Sequence, residues 1–128
     1  MGIKITSADR IFTQIVKELA GWECERCRKL YGKSAPGYGV SHFYGRNVTA
    51  TRISEENCMA LCRGCHQWLS DRPPEYCKLM EKRLGHRKFL RLQLRASLGA
   101  VIRGVDGPWD RLINTALRKR LKEIRDGK

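Results

Sequence analysis

Two Cys-x-x-Cys pairs, Cys24/Cys27 and Cys62/Cys65, constrain this chain more than any other feature. Residues 28–61 lie between them, so one site has to be assembled from two distant pieces of chain. Four thiolates in two tight chelating pairs make the tetrahedral sulfur set that zinc prefers. The spacing therefore predicts a small domain stapled by a structural Zn2+ at Cys24, Cys27, Cys62 and Cys65. The other two cysteines, Cys58 and Cys77, read as buried thiols, because free cysteine behaves as a small hydrophobe. Four thiolates fill a structural site. His66, directly after the second pair, and His42, inside the intervening loop, are then left needing another role.

At 128 residues the chain is expected to be one domain, burying roughly two-thirds of its unfolded surface. We divide it into an N-terminal helical stretch (1–21), a zinc-stapled core (22–72) and a helical C-terminal extension (73–128). Lys and Arg number 26 against 13 Asp and Glu, a formal net charge of +13. That excess favours a polyanionic partner, since each phosphate contact by a basic side chain releases condensed counterions. The basic residues are spread through helices instead of forming one juxtamembrane block, which favours nucleic acid over an anionic membrane. No run approaches the roughly 20 apolar residues that cross a bilayer, and the first helix is too polar for the apolar core of a secretory signal. The expectation is a soluble, cytoplasmic protein with reduced cysteines and no membrane contact.

Along the chain, Ser7 reads as an N-cap with Asp9 in the first turn, and Ile11, Phe12, Ile15, Val16 and Leu19 recur with helical period, predicting a helix over 8–20 that stops at Gly21. Trp22 is expected beside the zinc site, and Trp22, Trp68 and Trp109 all read as core. After a turn-rich connector at 32–39, Val40–Phe43 reads as a short strand with Ser41 and Phe43 on one face and His42 on the other. A polar loop over 44–56 leads to a second strand at Cys58–Leu61, then to a helix that starts in the second Cys pair, carries His66, Trp68 and Leu69, and ends near Asp71. Helices are predicted from Pro74 to about Leu84 (stripe Tyr76, Leu79, Met80, Leu84; cap Gly85), over 87–98, and from Trp109 to about Arg125. In the middle one, Leu90, Leu94 and Leu98 share a face and Arg87, Arg91 and Arg95 form a second stripe. A Gly/Pro-marked loop at 99–108 precedes the last, and His86 reads as a surface residue. The fold class is α+β, mainly helical.

The order of strand with His42, loop, Asn57, strand, Cys pair and helix with His66 resembles the ββα-metal (HNH) nuclease motif. More narrowly, the stretches SADRIF and CERC, then VSHFYGR, Arg52, Glu56-Asn57-Cys58, LCxxCH and Leu84-Gly85 are similar to phage-borne HNH proteins of the NinG (Rap) recombination-nuclease type. The resemblance covers residues 5 to 95 or so. It implies a zinc-stapled HNH core with flanking helices and a metal-dependent DNA endonuclease, with branched DNA as one substrate. By the same resemblance His42 is the general base, His66 a ligand of a catalytic Mg2+ or Mn2+, and Asn57 the residue that pins the loop.

One position departs from that pattern. Many members carry an aspartate ligand just before the first histidine, whereas Ser41 stands here, and Asp71, one helical turn beyond His66, is a candidate replacement. Arg46, Arg52, Arg87, Arg91 and Arg95 are candidate DNA-binding residues. Taken singly, His42 reads as a satisfied strand histidine, His66 as a cap at the zinc knuckle and the arginines as solvated charges. The alternatives kept open are a non-catalytic zinc module that binds nucleic acid and a protein-interaction module.

Overall fold

The computed structural model describes residues 4–33, 35–99 and 109–127. Its first element, α1 (Ser7–Leu19), begins one residue earlier than Ser7 as a cap would allow. Thr6 is the cap instead. Its hydroxyl accepts the Asp9 N–H at 3.2 Å while the Asp9 carboxylate accepts the Thr6 N–H at 2.8 Å, so two otherwise unpaired amides are satisfied reciprocally. Phe12, Ile15 and Val16 form the buried stripe, each contributing about 1.5–3 kcal/mol by leaving water. Beyond Ala20, the left-handed residues Gly21 (φ 64°) and Trp22 (φ 62°) turn the chain toward the first Cys pair.

Strands β1 (Tyr38–His42) and β2 (Cys58–Cys62) pair antiparallel, with Tyr38 opposite Cys62, Ser41 opposite Met59 and His42 opposite Cys58. Because side chains alternate along a strand, this two-stranded ribbon separates two apolar clusters. Tyr38, Cys58 and Ala60 join Phe12 and Val16 on the α1 side. Met59 and Leu61 face the other way, against Cys24, Cys65, Leu69, Tyr76, Met80, Phe89 and Leu92. The expected split of Ser41 and Phe43 from His42 follows: Ser41 bonds Tyr76, Phe43 packs on Tyr76 and Phe89, and the His42 ring lies 6.3 Å from that of Phe12.

The stretch expected as plain loop over 44–56 contains a single helical turn, α2 (Thr49–Arg52), and part of a 3-10 turn at Glu55–Asn57. Buried Thr51 and Asn57 explain that order, since polar groups taken out of water need partners and the turns supply them. Helix α3 (Arg63–Ser70) is capped by Cys62, whose sulfur accepts the Cys65 N–H. Arg72, just before Pro73, takes the non-helical backbone that a following proline requires. Helix α4 (Pro73–Leu84) then buries Tyr76 and Met80 and ends at Gly85 (φ 85°).

Helix α5 (His86–Gly99) buries Phe89, Leu92 and Ala96, which leaves Leu90, Leu94 and Leu98 at 49%, 58% and 58% exposure. The leucine repeat is the regular pattern in the sequence, but Phe89 decides the helix's rotation by docking near Phe43. Helix α6 (Trp109–Arg125) packs along α1. Arg120 grips Glu55 through two 3.0 Å bonds, Arg125 pairs with Glu18 and Leu117 packs on the α1-side cluster. The C-terminal helix therefore wraps the fold. The expected loop at 99–108, the Gly99 backbone apart, and the side chains of Trp109 and Leu112 lie outside the described residues. The described residues are thus mainly helical with a small two-stranded antiparallel sheet, an α+β arrangement. No helix among the described residues is long and apolar enough to cross a membrane.

Candidate functional site

The Cys-x-x-Cys pairs meet. The sulfurs of Cys24, Cys27, Cys62 and Cys65 all lie within 4.8 Å of one another, with Cys27 and Cys62 at 3.9 Å. Zinc–sulfur bonds of about 2.3 Å in a tetrahedron give a sulfur–sulfur edge of about 3.8 Å. The donor set thus fits a metal ion such as zinc. Each pair is folded as a knuckle in which the first sulfur accepts the amide of the second cysteine, at 3.5 Å in one and 3.4 Å in the other. The first knuckle is closed further by Cys24 N–H to Lys29 carbonyl (2.9 Å) and Arg28 N–H to Cys24 carbonyl (2.8 Å), with Arg28 left-handed at φ 67°. Burial works against ionising Cys62, but the Cys65 amide and the Tyr31 hydroxyl outweigh it and bring the thiol down to about 6. Arg26 lies 3.8 Å over the Trp68 ring and donates to the Cys65 sulfur at 3.4 Å.

The remaining cysteines divide. Cys58 is fully buried, and burial pushes its thiol up to about 12, as a packing residue should behave. Cys77, expected buried, is exposed on α4, because the buried stripe runs through Tyr76 and Met80. Trp22 packs beside Tyr38 in the α1-side cluster, and it is Trp68 that lies against the cluster containing Cys24 and Cys65. Trp22 and Trp68 are only partly buried.

His42 and His66 line one cleft of about 400 Å³, with Ser41, Phe43, Leu69 and Tyr76 among its walls. His42, at the end of β1, contacts the carbonyl of Arg52 through Nε2 at 3.1 Å. A carbonyl only accepts, so Nε2 carries the proton and Nδ1 is the free acceptor of the neutral ring. Burial, then the charge of Arg46, lowers the His42 pKa below its ordinary value, so the ring is neutral at pH 7. His66 is exposed on the first turns of α3.

Asn57 is fully buried and makes three bonds: its Oδ1 accepts the Tyr44 N–H (2.9 Å), and its Nδ2 donates to the carbonyls of Tyr44 (2.9 Å) and Thr51 (3.0 Å). One side chain thereby ties both ends of the 44–57 segment, whose Arg52 carbonyl holds His42. Ser41 is buried with its hydroxyl on Tyr76, whose phenol burial pushes up to about 12 and so keeps neutral. No carboxylate is among the described residues lining the cleft, and Asp71 accepts a bond from Gln67 on the exposed side of α3.

The basic candidates take different places. Arg52 grips Asp9 with both Nε (3.0 Å) and an Nη, and also reaches the Lys4 carbonyl, binding the loop to the start of α1. Burial alone would raise the Asp9 carboxyl, but Arg52 and the Thr6 donors hold it at about 2. Arg46 lies 3.9 Å from the same carboxylate. Arg87 and Arg91 are exposed on α5, and Arg95 donates to Ser54. His86 is exposed and pairs with Glu81 at 3.0 Å.

Besides the Arg52–Asp9 pair, two contacts had no signal in the sequence. One is the Ser41–Tyr76 bond. The other is Glu25, which accepts the Ala60 N–H through Oε2 and Arg83 through Oε1, fastening the first knuckle to β2 and α4. Both join residues far apart in the chain, beyond the reach of spacing rules.

No family model matches the chain, and the searches of curated proteins and of solved structures likewise find no match.

Proposed function

We propose that this protein is a DNA endonuclease of the HNH type, hydrolysing phosphodiester bonds at the cleft shared by His42 and His66. The observation that carries the reading is the bond from His42 Nε2–H to the Arg52 carbonyl, on a segment fastened by Asn57. It fixes the tautomer that leaves Nδ1 as proton acceptor, and the lowered pKa keeps the ring neutral and able to accept at pH 7. In the proposed step Nδ1 takes a proton from water, the water oxygen bonds to phosphorus, and the bond from phosphorus to the 3′ oxygen breaks. The leaving oxygen then gains a proton from solvent.

A divalent cation such as Mg2+ or Mn2+, held by His66, would neutralise charge on the phosphate and the leaving oxygen. His66 suits one position in its sphere. With Ser41 turned to Tyr76 and no carboxylate among the described lining residues, phosphate oxygens and water would supply the rest. In this reading Zn2+ in the four-cysteine centre is structural: it clamps the ends of the segment that carries His42 to the helix that carries His66. The likeness to phage recombination nucleases makes branched DNA the first substrate to try. A net charge of +13 supports a polyanionic substrate in any form.

The absence of a carboxylate from the described cleft lining favours a second reading, a zinc-stapled module that binds nucleic acid without cutting it. Incubating supercoiled plasmid with zinc-loaded protein and Mg2+ or Mn2+ separates the two. The endonuclease reading expects nicked product from the wild type and at least about a hundredfold less from His42→Ala. Equal activity in both proteins excludes His42 as the base, and salt-sensitive binding with no cleavage under either cation selects the second reading.

A further inference from the structure

A second cavity, of about 430 Å³, lies between the first knuckle, β2 and the C-terminal half of α4. Arg26, Arg28, Lys82 and Arg83 line it around a floor that includes Met59, and Glu25 is the one acid among the lining residues described. Its volume falls within the roughly 300–1,000 Å³ of small-ligand sites. The charges do not cancel. Glu25 is spent on Arg83 and the Ala60 N–H, and Arg26 is held on Trp68 and the Cys65 sulfur. Arg28 and Lys82 have no anionic partner among the described residues.

Arg28 adds an independent observation. It closes the first knuckle at φ 67°, a conformation glycine adopts freely and residues with a Cβ take only against a steric penalty. The turn itself therefore prefers glycine. Arginine at that position accepts backbone strain and carries a guanidinium to the wall of a cavity already rich in cations.

We propose that this cavity binds phosphate groups, with Arg28 and Lys82 as the residues that hold them. An arginine fork matches phosphate oxygens bidentately, and a lysine adds a point charge. The cavity is distinct from the cleft of His42 and His66: Tyr76 lines the cleft, and Lys82 and Arg83, two turns further along α4, line the cavity. The proposal does not depend on cleavage at that cleft. The phosphate could belong to a nucleic-acid backbone or to a free polyphosphate compound.

The test is calorimetric titration of pyrophosphate into zinc-loaded protein at low ionic strength, using wild type, Arg28→Gly, Lys82→Gln, the double variant and Lys88→Gln. Arg28→Gly retains and relaxes the left-handed turn, so the knuckle stays folded. The expected result is measurable binding by the wild type, weakened about tenfold or more in the double variant and unchanged in Lys88→Gln, which removes an exposed charge from α5. No binding by the wild type, or an equal loss in Lys88→Gln, overturns the proposal. A second arm measures binding of a short DNA duplex against salt. A log–log slope reduced by about 0.9 for each lost contact in the double variant assigns the phosphate to nucleic acid. An unchanged slope with lost pyrophosphate binding assigns it to a free compound.

Discussion

Replacing Asn57 with alanine tests how the cleft is held together. The amide makes three bonds from a fully buried position, and all three partners are backbone groups of the 44–57 segment. Truncation loses about 1 kcal/mol for each bond and strands one N–H and two carbonyls, at about 1–3 kcal/mol for each that water cannot reach. If water reaches two of the three, the sum is about 4–6 kcal/mol. For a domain of this size each kcal/mol lowers Tm by about 3–5 °C, so a fall of about 20 °C is expected. The effect should extend to His42, because the Arg52 carbonyl that receives its Nε2–H sits on the released segment. Denaturant unfolding gives the energy, and nitrogen-detected NMR of the His42 ring gives the tautomer. Asn57→Ala should show both the lost stability and a mixture of tautomers. A cost below about 1 kcal/mol with an unchanged His42 tautomer would refute the idea that Asn57 organises the cleft.

Acid should weaken the fold through Asp9. Its carboxyl is held at about 2, against 3.8 ordinarily, and it is almost fully buried. A depressed pKa contributes stability that is complete above the unfolded value and is lost as pH falls from about 4 toward 2, here about 2–3 kcal/mol. Asp9→Asn should lose that part of the pH dependence in denaturant melts, and an unchanged acid profile would show that the Arg52 pair does not supply it. Metal content makes a separate test. Purified wild type should carry about one zinc per chain, whereas Cys62→Ser should lose the metal and the cooperative melt together, since binding free energy at such a centre is folding free energy. A cooperative melt without bound metal would contradict the assignment of the four cysteines.

The parts of the fold visible in the sequence are those that local chemistry dictates. The Cys pairs, the alternation at Ser41, His42 and Phe43, and the proline and glycine that bound α4 could all be read because each acts over a few residues. The rotation of α5 could not. Leu90, Leu94 and Leu98 make the more regular repeat, yet Phe89 is the residue that finds Phe43, a tertiary fact that no period encodes. The same limit explains Arg52. From composition it is one more cation on a basic chain, and only the fold brings it to Asp9, 43 positions away. The Thr6 cap is hidden for a smaller reason: Thr6 and Ser7 are both good caps, and the choice rests on which one places Asp9 three residues on. Only a resemblance groups His42, Asn57 and His66; the structure puts His42 and His66 on one cleft and Asn57 beneath the segment beside it. The Arg52 carbonyl and the Tyr76 hydroxyl, which set the state of His42 and Ser41, could not be read, because a backbone carbonyl leaves no signature in sequence.

The most direct test of the proposed chemistry is the pH dependence of single-turnover cleavage of a DNA duplex, from pH 5 to pH 8, by zinc-loaded wild type and His42→Ala. The wild type should show an acid limb whose midpoint lies below 6.5, where burial and Arg46 place the His42 pKa, and a flat rate above it. The variant should lose both the rate and the limb. A wild-type rate that climbs steadily through pH 8, or a variant with the same limb, would show that the proton goes elsewhere.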